Sequence, residues 1–405
     1  MNFLNINKIK LICLTVLFLL PLSLFSFDWG LLADQDFSIE NVVDSDSNPD
    51  IIYSATLLPW FSAPIRDGDL YLSLGVTAKY EGEKWFFIPE LFQTDFTYNF
   101  ADLEFRVGRM RYSDPMGIIA EGLFDGLSLA YDTSIGNFSA GVWYTGFLFK
   151  KTANITMTTD DLSAYNTEFS YDKFWDTYFS SRRILAAVGW EHYGLGELVR
   201  LKVSLLNQAD VNGRDTWYHS QYLAAQAGIP ILNYFVLDLG GSLSFSEVPD
   251  DFDIGLIGEL GFAYFLPTSF QDRLRISGIF SSGKSDALGP FIPVTTVSQG
   301  DVLGAKISGL SKICLDYTAR LHRTFSFSVS SAYFVLSDKV TYEGWPGEKE
   351  GYFLGNEFFG RLIWSPVSDL QLNLGGGLFI PAMGNAAPDE KPRWKVEISA
   401  QLAIF

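Results

Sequence analysis

Charged and polar side chains recur at every second position along several stretches of this 405-residue chain. Residues 311–321, for example, alternate between a polar row that contains Lys312 and Asp316 and an apolar row that contains Ile313 and Leu315. Successive side chains of a β-strand point to opposite faces, so this alternation predicts a strand with one polar and one apolar face. Charges of both signs on the polar face fit a water-filled channel whose opposed walls orient polar solutes. The first hypothesis is therefore passage of solutes.

The polar rows of the predicted strands supply the candidates for a channel lining. Ten are basic and eight are acidic, and they are Lys79, Asp95, Glu104, Arg106, Arg183, Glu191, Arg200, Lys202, Asp238, Glu259, Arg275, Lys312, Asp316, Arg320, Glu357, Arg361, Lys395 and Glu397. No dense run of Arg and Lys appears among them, so a route for polyanions is not predicted. The alternative is that neighbouring opposite charges, such as Glu357 and Arg361, pair with each other and only brace the wall.

Catalysis has little support in the sequence. His192, His219 and His322 lack the spacing of metal ligands, and no GxSxG, HExxH or P-loop motif is present. We therefore predict no cofactor, no metal and no enzymatic activity. A hydrolase embedded in a barrel remains an alternative, and it would need Asp, His and Ser side chains clustered at the outer rim.

The N-terminus has the pattern of a secretory signal peptide. Residues 1–26 carry Lys8 and Lys10 and then an apolar run from Leu11 to Phe25. No later run of 18 apolar residues follows, so residues 27–405 are predicted to cross a membrane as a barrel or to be soluble. Removal of the two lysines takes the net charge from −18 to −20, which argues against nucleic acid as a partner. Cys314 alone remains, so no intrachain disulfide is predicted.

The last stretch, 394–405, alternates between an apolar row and a mostly polar row and ends on Phe405. It resembles the final strand of bacterial outer-membrane β-barrels, which their assembly machinery recognises. In the usual pattern the terminal aromatic lies on the apolar row, whereas Phe405 falls on the polar one. The alternative is an ordinary strand of a soluble sandwich.

Eighteen strands can be assigned, most of them long enough to cross a bilayer, if residues 34–43 count as the first; without that segment, 16 strands are the alternative. The connections then divide by length. Short ones fall at one end, near 65–68, 99–102, 133–137, 194–197, 231–233, 267–271, 322–324 and 366–369, and long ones at the other, near 150–181, 210–218, 284–308, 339–351 and 383–391. Short periplasmic turns and long extracellular loops are typical of outer-membrane barrels. The sequence therefore predicts an all-β, antiparallel, up-and-down transmembrane barrel.

Two segments resemble the alginate-export porin family. Residues 103–132 contain Gly-Arg on one strand and Phe-Asp-Gly on the next, and residues 354–381 contain a Leu-Gly-x-Glu strand and a strand that ends in aromatic-x-Pro. The resemblance implies an 18-stranded monomeric barrel that passes solutes. It does not imply alginate as the substrate, because the predicted lumen lacks a strongly basic lining.

Strict alternation would turn Arg109, Arg111 and Asp125 toward lipid. Bulges at the neighbouring glycines would instead direct these side chains into the lumen. The hypothesis is that Arg109 and Asp125 form a cross-strand ion pair that shapes a constriction, with Arg111 as a further candidate.

The predicted function is an outer-membrane porin for small hydrophilic solutes, surrounded by outer-membrane lipid. The long loops at 150–181 and 284–308 either fold inward as a constriction or act at the cell surface. A surface adhesin that displays these loops is one alternative. A hydrophobic-substrate transporter of the fatty-acid type is another, but residues 27–50 are too short and too polar for its N-terminal plug.

Overall fold

Eighteen antiparallel strands form one closed sheet, in which β1 pairs with both β2 and β18. The computed structural model describes residues 27–45, 47–195, 198–214, 216–249, 251–342 and 349–405. The strands are β1 (Asp28–Val42), β2 (Asp50–Ile65), β3 (Gly68–Glu81), β4 (Lys84–Phe100), β5 (Leu103–Ser113), β6 (Glu121–Thr133), β7 (Gly136–Tyr144), β8 (Arg183–Leu195), β9 (Val199–Asp210), β10 (His219–Ile231), β11 (Phe235–Val248), β12 (Asp251–Phe265), β13 (Arg273–Ser281), β14 (Leu310–His322), β15 (Phe325–Leu336), β16 (Phe353–Val367), β17 (Leu370–Ile380) and β18 (Arg393–Ile404).

The predicted 18-stranded barrel is confirmed, and the 16-stranded alternative is excluded. The first strand is longer than predicted and begins at Asp28, because its early residues pair with β2 on one side and β18 on the other. The predicted signal segment, 1–26, lies outside the described residues. Within the described part of the chain, no helix is long and apolar enough to span a membrane.

The longest connections all lie at one end of the barrel, as the alternation of strands predicts, although that end also carries the two-residue turn 82–83. Turns such as 66–67, 134–135 and 368–369 lie at one end of the barrel, here called the short-turn end. The opposite, long-loop end carries three loops that matter below, L3 (114–120), L4 (145–182) and L7 (282–309). L4 contains three short helices, α1 (Lys150–Ala153), α2 (Thr159–Asn166) and α3 (Phe174–Thr177), and a 3₁₀ helix (Pro381–Met383) follows β17.

The two faces of the wall differ as a membrane barrel requires. Outward side chains are apolar and open, as in Leu127 with 45% of its surface exposed and Leu315 with 48%. On the inward face Met110 and Phe124 are fully buried, because side chains of L3, L4 and L7 pack against them. An apolar core therefore lies inside the barrel, and it is formed jointly by the wall and the inward loops.

Candidate channel and its constriction

L3, L4 and L7 meet inside the barrel and hydrogen-bond to one another. The amide of Val294 in L7 donates to the Ile119 carbonyl of L3 at 2.7 Å. The amide of Thr296 donates to the Asn154 carbonyl of L4 at 2.9 Å. The three loops therefore form one body across part of the lumen, which answers the alternatives for loops 150–181 and 284–308 in favour of inward folding.

Asp114 fixes the shape of L3. Its buried carboxylate accepts hydrogen bonds from the amides of Met116, Ile118, Ile119 and Ala120 at 2.8–3.0 Å. Burial raises the pKa of Asp114, while these four amides oppose the shift. With its backbone groups satisfied, L3 can extend across the lumen without losing hydrogen bonds.

Arg183 fixes L4. Its guanidinium is completely buried and contacts Asp161 of α2 at 2.5 Å, Asp210 of β9 at 2.8 Å and the Tyr218 carbonyl at 2.9 Å. Asp161 also completes a capping box with Thr158 at the start of α2. Arg183 lies on the inward row, as the alternation predicts, but α2 covers it. It therefore holds a loop in place and is not open to solutes.

Glu357 fixes L7. Its carboxylate, 3% exposed, accepts hydrogen bonds from the amides of Asp301, Val302 and Leu303 at 2.8, 3.0 and 2.7 Å. The Asp301 side chain lies 3.4 Å from Arg361, so the same segment also contacts the next inward charge of β16. Glu357 pairs with the L7 backbone and not with Arg361, because residues four apart along a strand lie about 13 Å apart and the inward side chain of Phe359 lies between them.

One polar part of the lumen lies along β16–β18, β1 and β2. A cavity of about 490 Å³ there is lined by polar side chains that include Asp36, Ser54, Asn373, Glu397 and Ser399. On the β5–β12 side the apolar core narrows the lumen, and a smaller polar cavity of about 270 Å³ lined by Glu191 and Lys202 remains there. The larger of these two cavities, beside β18 and β1, is the candidate for a passage.

The charges of this sector are unevenly paired. Arg361 and Lys395 lie 2.7 and 3.3 Å from the Glu397 carboxylate. Asp36 of β1 lines the same space and Asp34 lies two residues along the same row, and within the described residues no basic side chain forms an ion pair with either. The sector therefore has an excess of negative charge. The sequence analysis did not assign the residues of β1 to an inward and an outward row. Asp34 and Asp36 alternate with Phe37 and Ile39, so the sequence alone could have placed both acids on the inward row.

The other predicted lining residues lie on inward rows, mostly in ion pairs. The pairs are Lys79 with Glu81 at 2.6 Å, Arg106 with Asp95 at 3.3 Å and Glu104 at 3.9 Å, Glu191 with Arg200 at 2.9 Å and Lys202 at 3.2 Å, and Arg275 with Glu259 at 3.3 Å and Asp238 at 3.7 Å. Lys312 lines a cavity beneath L3, Asp316 accepts from the Cys314 thiol at 3.4 Å, and Arg320 donates to the Arg323 carbonyl at 2.8 Å.

Arg109 and Asp125 form the expected cross-strand pair, with two hydrogen bonds of 2.8 Å. In the ladder of β5 and β6, all of which the structure describes, no register shift occurs, so the expected bulges are absent. The pair stays on the outward row of Val107 and Leu127 and does not face the lumen. Arg111 lies on the same outward row, 71% exposed and paired with Glu121 at 2.5 Å.

The closed 18-stranded barrel fold is shared with solved outer-membrane porins. OccK2 (OpdF) of Pseudomonas aeruginosa matches with a TM-score of 0.63 and 12% identity over 94% of this chain and 98% of that one. A BenF-like porin from Pseudomonas fluorescens Pf-5 matches with a TM-score of 0.62 and 9% identity over 93% and 99%. OprD of Pseudomonas aeruginosa matches with a TM-score of 0.58 and 12% identity over 94% and 93%.

No protein-family model and no curated protein sequence matches the chain. At such low identity these structures establish the fold. The activity must be argued from the side chains of this chain.

Proposed function

We propose that the protein is an outer-membrane porin through which small hydrophilic solutes diffuse. The observation that carries this proposal is the polar sector beside L7, where Asp36, Glu397 and Ser399 line a cavity of about 490 Å³ within a barrel whose outer face is apolar. Such a barrel buries its apolar rows in lipid and leaves water inside.

The remaining elements follow from the same assignment. Residues 1–26 act as the export signal, the long-loop end faces outside, and the barrel-assembly machinery recognises β18 with Phe405. Any kinship with alginate-export porins rests on the two short motifs alone, and alginate is not the proposed solute.

We further assign a cation preference to the channel, because Asp34 and Asp36 leave the polar sector with unpaired negative charge. This replaces the slightly basic lumen that the residue count in the sequence implies. Eight of those basic residues are neutralised by carboxylates at 2.5–3.3 Å, namely Lys79, Arg106, Arg183, Arg200, Lys202, Arg275, Arg361 and Lys395.

Single-channel recording in a planar bilayer with a KCl gradient tests both statements. We expect discrete conductance steps and a reversal potential with the sign of cation preference. A correctly folded barrel, identified by heat-modifiable gel mobility, that shows no conductance would contradict the porin assignment. An anion-selective reversal potential would contradict the role of Asp34 and Asp36 while leaving the porin assignment intact.

A further inference from the structure

The barrel wall contains a stretch that is closed without a backbone ladder. β4 and β5 pair from Phe100–Leu103 only as far as Thr94–Arg109, although β4 continues to Lys84 and β5 to Ser113. Residues 84–93 of β4 and 110–113 of β5 thus face each other unpaired. We call this stretch the β4–β5 seam. An unpaired strand edge presents free N–H and C=O groups that must find other partners.

Side chains supply those partners. The Arg109 guanidinium donates to the Leu91 carbonyl across the seam and to the Phe147 carbonyl of L4 at 3.1 Å. The Tyr171 hydroxyl of L4 accepts from the Phe87 amide at 3.0 Å and also donates to the Phe87 carbonyl. The Tyr178 hydroxyl donates to the Pro89 carbonyl at 2.7 Å. Rotatable side chains therefore close the seam, whereas a backbone hydrogen-bond ladder joins the other neighbouring strands.

Behind the seam lies a cavity of about 330 Å³ between L4 and the β3–β4 hairpin, here called the L4 cavity. Its floor is apolar, formed by Phe86, Ile88, Phe149 and Phe169. This volume lies at the lower end of the range of small-molecule pockets.

The rim of the L4 cavity carries four lysines. Two are neutralised, because Lys79 lies 2.6 Å from Glu81 and Lys84 lies 2.8 Å from Glu168.

Neither of the other two lysines forms an ion pair with a carboxylate of the described residues, although the charge of Glu81 acts on Lys151. The Lys150 ammonium donates to the carbonyls of Ala164 at 2.9 Å and Thr167 at 2.6 Å. The Lys151 ammonium lies 3.8 Å from the centre of the Tyr165 ring, and within the described residues no carboxylate forms an ion pair with it. An apolar floor below a rim with surplus positive charge fits a ligand that has an apolar tail and an anionic head.

The outer side of the seam is also apolar. Trp85 and Phe87 each expose 55% of their surface on the outward row, and Trp85 contacts Tyr53 and Tyr80. Aromatic clusters of this kind mark the membrane–water interface of a barrel. Trp85 then marks the interface, and the seam extends from Trp85 toward Thr94 into the part of the wall that faces the lipid tails.

We propose that the L4 cavity binds an anionic amphiphile with a long apolar tail and that the β4–β5 seam connects this site with the outer leaflet of the membrane. The head is held at Lys151, the tail lies on Phe86 and Phe149, and the seam opens when Arg109 and Tyr171 release the β4 edge. This function is additional to the polar passage and uses a different part of the lumen.

Photolabelling of the full barrel in lipid bilayers tests the proposal, with a palmitate analogue that carries a diazirine on its chain. The probe is added from water in one arm and mixed into the lipid in the other. We expect cross-links at Phe86, Ile88, Phe149 or Phe169 that unlabelled palmitate competes away and that the methyl ester of the probe does not form. Lys151→Met is expected to lower this labelling by about tenfold.

The seam is tested by Tyr171→Phe and Arg109→Ala, with Tyr131→Phe on the outward row of β6 as the matched control. The first two variants are expected to speed labelling in the lipid arm several-fold, and the control is not. Tyr171→Phe removes one hydroxyl only, so it remains informative if Arg109→Ala fails to fold. Equal lipid-arm rates in Tyr171→Phe and the wild type would overturn the seam as the route.

Labelling spread evenly over outward residues such as Leu223 and Leu260, and unchanged by Lys151→Met, would overturn the binding site. Conductance recorded on the same preparations tests the polar passage separately. Labelling of the L4 cavity does not require that passage to open or close, so either function can fail without the other.

Discussion

Glu357→Gln tests whether one carboxylate sets the aperture of the channel. The wild-type side chain receives three backbone amides of L7, one on Oε1 and two on Oε2. In the variant the side-chain amide keeps one acceptor oxygen, which can serve the two amides of Val302 and Leu303. Its NH₂ group then faces the amide of Asp301, and that hydrogen bond is lost.

The cost follows from these contacts. Hydrogen bonds to a charged acceptor contribute about 1.5–3 kcal/mol each and neutral ones about 0.5–1.5, and a buried donor left unpaired costs about 1–3 kcal/mol. Loss of one bond and weakening of two therefore destabilises the docked tip of L7 by about 3 kcal/mol. Since about 1.4 kcal/mol is tenfold in an equilibrium constant, the detached state becomes about a hundredfold more populated. The exposed contact of Asp301 with Arg361 contributes only about 0–1 kcal/mol to docking and is the same in both proteins, so it does not change this difference.

The assay is single-channel recording at high time resolution. We expect the variant to visit a larger-conductance level about a hundredfold more often than the wild type, because the detached tip widens the space beside Arg361. Glu104→Gln is the control, since it removes the same charge from the inward row of β5 without releasing a loop. Identical dwell times in Glu357→Gln and the wild type, with heat-modifiable mobility preserved, would refute the anchoring role.

Further expectations concern the other anchors and charges. Arg183→Met leaves Asp161 and Asp210 buried without their cation, which costs about 3–5 kcal/mol, so limited proteolysis should cut within L4 while the barrel stays intact; equal protection would contradict this. Replacement of Asp34 and Asp36 by Asn should move the reversal potential toward zero in a KCl gradient, and an unchanged potential would place ion selection elsewhere. Burial and the neighbouring Lys151 lower the pKa of Lys150 from its ordinary 10.5 to about 8. The unfolded loop then binds more protons than the docked loop between these two values, so docking of L4 should strengthen as pH rises through that window. Slower proteolysis of L4 at the upper end would support the sign, and faster proteolysis would oppose it.

The barrel could be predicted from sequence because its signals are local. Alternation along 311–321 depends only on neighbouring residues, and the parity of short and long connections depends only on their order. The row of a residue follows from the same alternation, which is why Lys79, Arg106 and Glu397 lie where the sequence predicts. The same reasoning applied to β1 would have found Asp36.

Whether an inward side chain is open to water or covered by a loop could not be predicted, because this depends on loops that are distant in sequence. Arg183 and Glu357 lie on the predicted row, yet α2 covers the first and L7 covers the second. No alternation rule describes where a long loop folds. The local capping pattern of Thr158 and Asp161 predicts the start of a helix, but not that the helix lies over Arg183.

Arg109 shows how a residue can break the alternation for a physical reason other than a bulge. The sequence reasoning sought a way to turn this charge away from lipid and placed it in the lumen. In the structure the strands separate beside it, and the guanidinium satisfies the Leu91 carbonyl, the Phe147 carbonyl and Asp125 within the wall itself. A charge on an outward row is stable there because the missing ladder has left acceptors that it can reach. Unexpected charges on the lipid-facing rows of a barrel therefore indicate positions where the ladder is interrupted, and those positions are where a lateral opening should be sought.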